Sequence, residues 1–284
     1  MPSAYPKVLL SVTSIPRRFD SSLREVVSKL QETQESVVVC LPSHYKKWGG
    51  PSYPSAYLKD SNNVTLFQPS RDYGPATKLL GAIEYINGVK AKFDAIITFD
   101  DDVYYTDTMA AITYLKQQGL RRPGCVITIG GLKLAHFPYR PMNGLWGNNV
   151  GYVDAVAGFR GVYYPVEKIV PDRRIFDFAS DLPDGIFNDD DAYLGICLSR
   201  MGVPIFAVKP PKVKLVSAQG AGESAVQEKA AMHRAENSAR IFQFAVSRGW
   251  LPSALAKASP PSTLRTVLNR SIMGRKLLRW HFDW

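Results

Sequence analysis

Five short apolar, β-branched runs alternate with three longer helical patterns between residues 8 and 129. This alternation restricts the fold more than any other feature of the chain. The strand candidates are Val8–Val12, Ser36–Leu41, Val64–Phe67, Ala95–Phe99 and Cys125–Ile129, and the helix candidates are Ser21–Thr33, Pro75–Asn87 and Thr106–Gln118. A βαβα succession of this kind predicts an α/β fold, a mostly parallel sheet flanked by helices. The run AIITF at 95–99 is apolar except for Thr98, as suits a central strand covered on both faces. With 284 residues, 45% hydrophobic and 21% charged, the chain has enough apolar material for such a core and too much for disorder.

From Gly130 to Gly158 the texture changes to Gly, Pro, Asn and aromatics without clear period. Such a stretch inside a domain suits a functional loop or lid, with Trp146 a residue that would close over a site. A strand is expected at Gly161–Tyr164, a helix from Asp190 to Met201 ended by Gly202, and a strand at Pro204–Val208. Beyond Gly220 a polar helix is expected to reach Arg248. The segment PSALAKASPPS at 252–262 reads as a linker, which divides the chain into a domain at 1–250 and a tail at 251–284.

The net charge is +10, and the tail carries half of it: Lys257, Arg265, Arg270, Arg275, Lys276 and Arg279 stand against Asp283. Leu264, Val267, Leu268, Ile272 and Trp280 lie among these cations, so the tail is loosely amphipathic and suits either an anionic membrane surface or a basic helix packed on the body. No apolar run reaches bilayer length, and the N-terminus has no secretory leader pattern. These features predict a cytoplasmic protein, peripheral on the inner face of the membrane through its tail. Cys40, Cys125 and Cys197 are widely spaced within apolar runs and read as buried thiols in a reducing compartment.

Four segments could carry chemistry. Asp100-Asp101-Asp102 follows strand 95–99 directly, and open α/β sheets bind ligands at the carboxyl ends of their strands. Adjacent carboxylates repel unless a cation compensates, and oxygen ligands suit Mg²⁺ or Mn²⁺. Asp100 and Asp102 are the candidate ligands; the alternative is an acidic turn capping the next helix. His233 could complete the metal site, although a structural role is the more ordinary one for each of the four histidines. In RDYGPATK, residues 71–78, a Gly-Pro turn opens a helix whose N-terminus, with Lys78 and Arg71, could take phosphate; an ordinary capped helix would look the same. In NDDDAYLG, residues 188–195, three acids open a helix, and the alternatives are capping or a general base. In AGFRGVYY, residues 157–164, small residues before a strand permit either close ligand approach or a tight corner.

In their order and spacing, these segments resemble GT-A nucleotide-sugar glycosyltransferases, in particular the β-1,3-galactosyltransferase and Fringe-like group. Tyr73…Thr77-Lys78, ITFDDDVYY at 97–105, AGFRGVYY at 157–164 and DDAYLGICLSRMGV at 190–203 carry the likeness, which spans about residues 60–208. The resemblance implies a GT-A-like, Rossmann-type domain and a metal-dependent, inverting transfer from a UDP-sugar to a glycan or lipid-linked acceptor in surface-polysaccharide assembly. By that likeness Asp100 and Asp102 hold Mn²⁺ or Mg²⁺, and Asp101 lies near the ribose or donor sugar. Thr13, Ser14, Arg17 and Arg18 lie beside the nucleotide, flanked by Asp72 and Lys78. The segment containing Gly158 and Arg160 faces the donor or acceptor sugar. Asp191 is the base, with Asp190 the second choice. A sugar nucleotidyltransferase would show a Gly-rich loop after the first strand, and SVTSIPRRF has no glycine there. Nucleic-acid binding would exploit the positive charge, but the clustered carboxylates oppose it.

Overall fold

The computed structural model describes residues 5–46, 58, 63–89, 92–134, 141–142, 150–178, 189–221, 240–241 and 243–250, with backbone alone at 132–134 and 141–142. His233, Trp146 and the tail at 251–284 lie outside the described residues, as does most of the helix expected beyond Gly220.

The strands are β1 Val8–Val12, β2 Ser36–Cys40, β3 Val64–Phe67, β4 Ala95–Phe99, β5 Val103–Tyr105, β6 Val126–Ile129, β7 Gly131–Leu134, β8 Pro141–Met142, β9 Gly151–Val153, β10 Ala155–Val156, β11 Val162–Pro165, β12 Ile205–Val208 and β13 Leu215–Ser217. Eight of them form one sheet in the order β3-β2-β1-β4-β11-β6-β12-β9. Strands β3, β2, β1, β4, β6 and β12 run one way, while β11 and β9 run against them. The α/β architecture with a mostly parallel sheet is therefore as the alternation predicts. Five described helices accompany it: α1 Ser22–Gln31, α2 Thr77–Val89, α3 Thr108–Arg121, α4 Val166–Ile169 and α5 Asp190–Met201.

Strand alternation divides the core in two. Leu9, Val38 and Ile96 turn to the face covered by α2 and α5, where they meet Leu80, Ile83, Leu194 and Leu198. Val8, Leu10, Val12, Ile97 and Phe99 turn to the other face and meet Leu23, Val27, Ile112 and Leu115 of α1 and α3. Both faces are dry, so the strands read as continuous apolar runs. The partly described stretch at 240–250 packs on the α5 side, where Trp250 stands edge-on to Phe178 and under the Arg200 guanidinium.

The structure corrects three local expectations. The Gly130–Gly158 stretch is not irregular throughout: β7, β8 and β10 form a small antiparallel sheet, and β9 edges the main one. Both ends of this excursion meet one side chain, because the Thr128 hydroxyl donates to the Gly130 carbonyl (2.6 Å) and accepts from the Ala157 amide (3.2 Å). The second helix begins at Thr77, because a 3₁₀ turn occupies Gly74–Ala76. The third begins at Thr108, capped by the Asp107 carboxylate on the Ala110 amide (2.9 Å). Helix α5 matches its sequence bounds, and Gly202 ends it in the left-handed conformation with φ 71°.

Candidate active site

The sheet brings the predicted residues to one edge. Val12 pairs with Phe99, so Thr13 and Asp100 leave β1 and β4 side by side. Because β11 runs backwards between β4 and β6, its start and the preceding Gly158–Arg160 turn reach that edge as well. The N-termini of α2 and α5 arrive there too: Lys78 of α2 touches both Asp100 and Asp190. Helix α5 can come so close because Gly195 has no side chain. A Cβ there would lie 2.3 Å from the Asp154 carbonyl oxygen.

Lys78 is the hub. It is 4% exposed, and its ammonium lies 2.8 Å from Asp100 Oδ1 and 3.0 Å from Asp190 Oδ2. Asp190 is itself 7% exposed. The neighbouring Asp191 turns to the Gly158 amide, which donates to its two oxygens at 3.2 and 3.4 Å. Burial pulls the Lys78 ammonium down, but Asp100, Asp190 and Asp191 outweigh it and hold it well above the usual lysine range. Burial, joined by the charge of Asp190, raises the Asp191 carboxyl well above the carboxylate range, against the opposing pull of Lys78.

The second cation is Arg18. It lies 2.7 Å from Asp101 Oδ1 and 3.2 Å from Asp102 Oδ2. The Ser14 hydroxyl also donates to Asp101, and the Tyr45 hydroxyl donates to the Ser14 carbonyl at 2.8 Å. Burial raises the Asp101 carboxyl despite Arg18 and Ser14. Burial, then the charges of Asp100 and Asp101, push Asp102 up to about 6. Among the described residues five acidic side chains thus share this edge with the two cations that pair with them, Lys78 and Arg18, an excess of acids over paired bases.

The capping alternatives fare poorly. The helix after Asp100–Asp102 is capped by Asp107. On α5, the N-cap Asp189 makes no side-chain capping bond, Asp190 faces Lys78 and Asp191 faces Gly158.

The remaining candidates surround this cluster less closely. The Thr13 hydroxyl donates to the Cys40 carbonyl (2.7 Å), and Arg17 is exposed. Asp72 accepts the Gly74 and Lys46 amides, each at 2.8 Å, and burial still raises its carboxyl. Arg160 is half-buried against the Phe159 ring, and burial lowers its guanidinium. Tyr45 and Tyr164 were not legible as site residues. Tyr45 steadies the Ser14 loop, and Tyr164 is buried where burial and the Asp190 and Asp191 charges raise its phenol despite Lys78. Nothing in the polar segment PSHYKK marks Tyr45, and Tyr164 ends an apolar run that signals core.

Among the described residues no three His, Cys, Asp or Glu side chains converge tightly enough to cage an ion. The donor set nevertheless fits a hard divalent cation. Mg²⁺-type sites commonly use one or two carboxylates, completed by water and substrate phosphate. Asp100 and Asp102 supply two such carboxylates, both partly exposed, within the acidic cluster.

No family model matches the chain, and no curated protein matches it. Among solved structures the chain is similar to a mannosyltransferase from Pyrobaculum calidifontis in complex with GDP-Man and Mn²⁺, at 14% identity over 97% of this chain and 81% of that one, with a TM-score of 0.47. It is also similar to S. aureus TarS 1-349, at 11% identity over 73% of this chain and 59% of that one (TM-score 0.43), and to A197 from STIV, at 10% identity over 74% and 84% (TM-score 0.40).

Proposed function

We propose that the chain is a metal-dependent, inverting glycosyltransferase. It moves a sugar from a nucleotide donor, UDP-linked by the resemblance, to a glycan or lipid-linked acceptor in surface-polysaccharide assembly. The observation that carries this reading is the five-carboxylate, two-cation cluster at the carboxyl edge of the sheet, with one acid of raised basicity standing apart from the metal pair. Asp100 and Asp102 would hold Mn²⁺ or Mg²⁺. When bound, that ion neutralises the charge that develops on a departing nucleoside diphosphate.

The rest belongs to the chain's own residues. Asp191 accepts the proton of the acceptor hydroxyl, whose oxygen bonds to the anomeric carbon as the bond from that carbon to the diphosphate oxygen breaks, inverting the centre. The Gly158 amide holds the Asp191 carboxylate in place, and general-base help of this kind is worth ~10²–10⁴ in rate. Thr13, Ser14, Arg17 and Arg18 line the nucleotide side, with Arg18 also restraining Asp101 and Asp102. Arg160 stands on the sugar side.

The test is a thermal-shift screen of UDP-sugars and GDP-mannose with and without Mn²⁺, followed by NMR of the product anomer. A melting temperature raised by donor and Mn²⁺ together is expected, with release of nucleoside diphosphate. Release of pyrophosphate, or full activity in EDTA after Asp100 and Asp102 are both changed to Asn, would overturn the reading.

A further inference from the structure

A lysine at the start of a helix beside a nucleotide site invites the reading of a phosphate ligand. The surroundings of Lys78 argue otherwise. An ammonium has three donors and no acceptor. Two of them are spent on Asp100 and Asp190, and the side chain is almost wholly enclosed. Asp191 and the Gly158 backbone crowd the same spot: a Cβ added to Gly158 would fall 2.9 Å from Asp191 Oδ1 and 3.4 Å from Lys78 Nζ. The lysine backbone is also pinned, because the buried Ser11 hydroxyl of β1 donates to the Lys78 carbonyl. An incoming phosphate would have to displace a carboxylate from this ammonium.

We infer that Lys78 is a positioning residue, an internal counterion that occupies Asp100 in the metal-free protein and ties it to Asp190, so that a divalent cation binds against it. The inference rests on the divalent-cation reading of Asp100 and Asp102. Asp100 directly follows β4 and Asp190 opens α5, 90 residues apart in sequence, and among the described residues the Lys78 ammonium pairs with both. It therefore fixes the spacing between the metal side and the general-base side of the edge. Its single positive charge stands 2.8 Å from a candidate metal-ligating oxygen, so it opposes an arriving dication by direct repulsion. Metal affinity is thus held below what the carboxylates alone would give.

The experiment is a titration of full-length wild type, Lys78→Met and Lys78→Arg with Mn²⁺ alone, without nucleotide, reading free Mn²⁺ by electron paramagnetic resonance and folding by circular dichroism. Lys78→Met is expected to bind Mn²⁺ about tenfold more tightly than wild type, since a charge has been removed beside the ligand; Lys78→Arg is expected to stay near wild type. A purely structural lysine would give weaker or unchanged binding on loss, and a phosphate ligand would leave Mn²⁺ affinity unchanged while weakening UDP and GDP. Either result overturns the inference. If Lys78→Met does not fold, Lys78→Gln carries the test, because its amide can still donate to a carboxylate without the charge, and the same tightening is expected. Wild type that binds Mn²⁺ with no tightening in the neutral variants refutes the counterion role alone. No Mn²⁺ binding in any of these proteins refutes it together with the metal reading on which it rests.

Discussion

Asp191→Asn separates catalysis from stability in opposite directions. The side chain keeps its shape, and its amide oxygen can still accept from the Gly158 amide, so the local geometry is expected to persist. What disappears is the proton acceptor. A loss of ~10²–10⁴ in turnover corresponds to about 3–5 kcal/mol of transition-state stabilisation, at about 1.4 kcal/mol per decade. Stability should move the other way. Burial and Asp190 raise the Asp191 carboxyl well above its unfolded value, so folding disfavours the charged form. That penalty is absent at pH values below the ordinary carboxylate range, where both states bind the proton. It grows as pH rises towards the folded value and is then constant. In metal-free protein at neutral pH the Asn variant should therefore unfold at equal or higher urea concentration than wild type, and the gain should vanish in acid. The assays are nucleoside diphosphate release with the donor found by thermal shift, and urea unfolding at two pH values. Near-normal turnover would remove Asp191 as the base. A marked loss of stability at neutral pH would refute the electrostatic reasoning.

Gly195→Ala puts a methyl group 2.3 Å from the Asp154 carbonyl oxygen, so helix or strand must move. A cost of about 1–3 kcal/mol is expected, with activity lost as the start of α5 shifts; a urea midpoint equal to wild type would contradict the packing. The Cys40 and Cys197 thiols are pushed up to about 12 chiefly by burial, so they should react with a disulfide reagent at neutral pH only on unfolding. Rapid labelling of either one in the native protein would refute this. Cosedimentation with phosphatidylserine vesicles should be stronger for the full chain than for residues 1–250, since each basic residue near such a surface is worth about 1 kcal/mol. Equal binding would rule out the tail as the anchor.

Much of this architecture is written locally. The runs at 8–12, 36–40, 64–67 and 95–99 are strands because β-branched apolar residues pack well on a sheet covered on both faces. Helix α5 is bracketed by its acids and Gly202. The short strands β7 to β10 escape such a reading, because two to four residues among Gly, Pro and Asn carry no period. The β5–β13 ribbon escapes it for another reason: Val103–Tyr105 pairs with residues 110 to 114 positions later, and nothing local encodes the match. The site divides the same way. Its carboxylates announce themselves as clusters, at 100–102 and 189–191. The Lys78 pairings span 22 and 112 positions and the Arg18 pairing 83, so the role of each cation is visible only once the strands are side by side.

The Thr128 hydroxyl holds together the two ends of a stretch of more than two dozen residues, and this has a consequence for how such a chain can change. A segment whose ends are already fastened bears only a logarithmic penalty for growing, about 0.6 kcal/mol for each doubling of a flexible loop. The carboxylates at 100–102 and 190–191 stand outside this stretch, and only its end at Asp154 and Ala155 packs against the helix that carries the second pair. Changes of length between Leu134 and Gly151 can therefore be absorbed while Asp154 and Ala155, packed against Gly195, hold α5 and its carboxylates in register. The charge cluster and the middle of this stretch are thus separate parts of the fold, and a single threonine marks the seam.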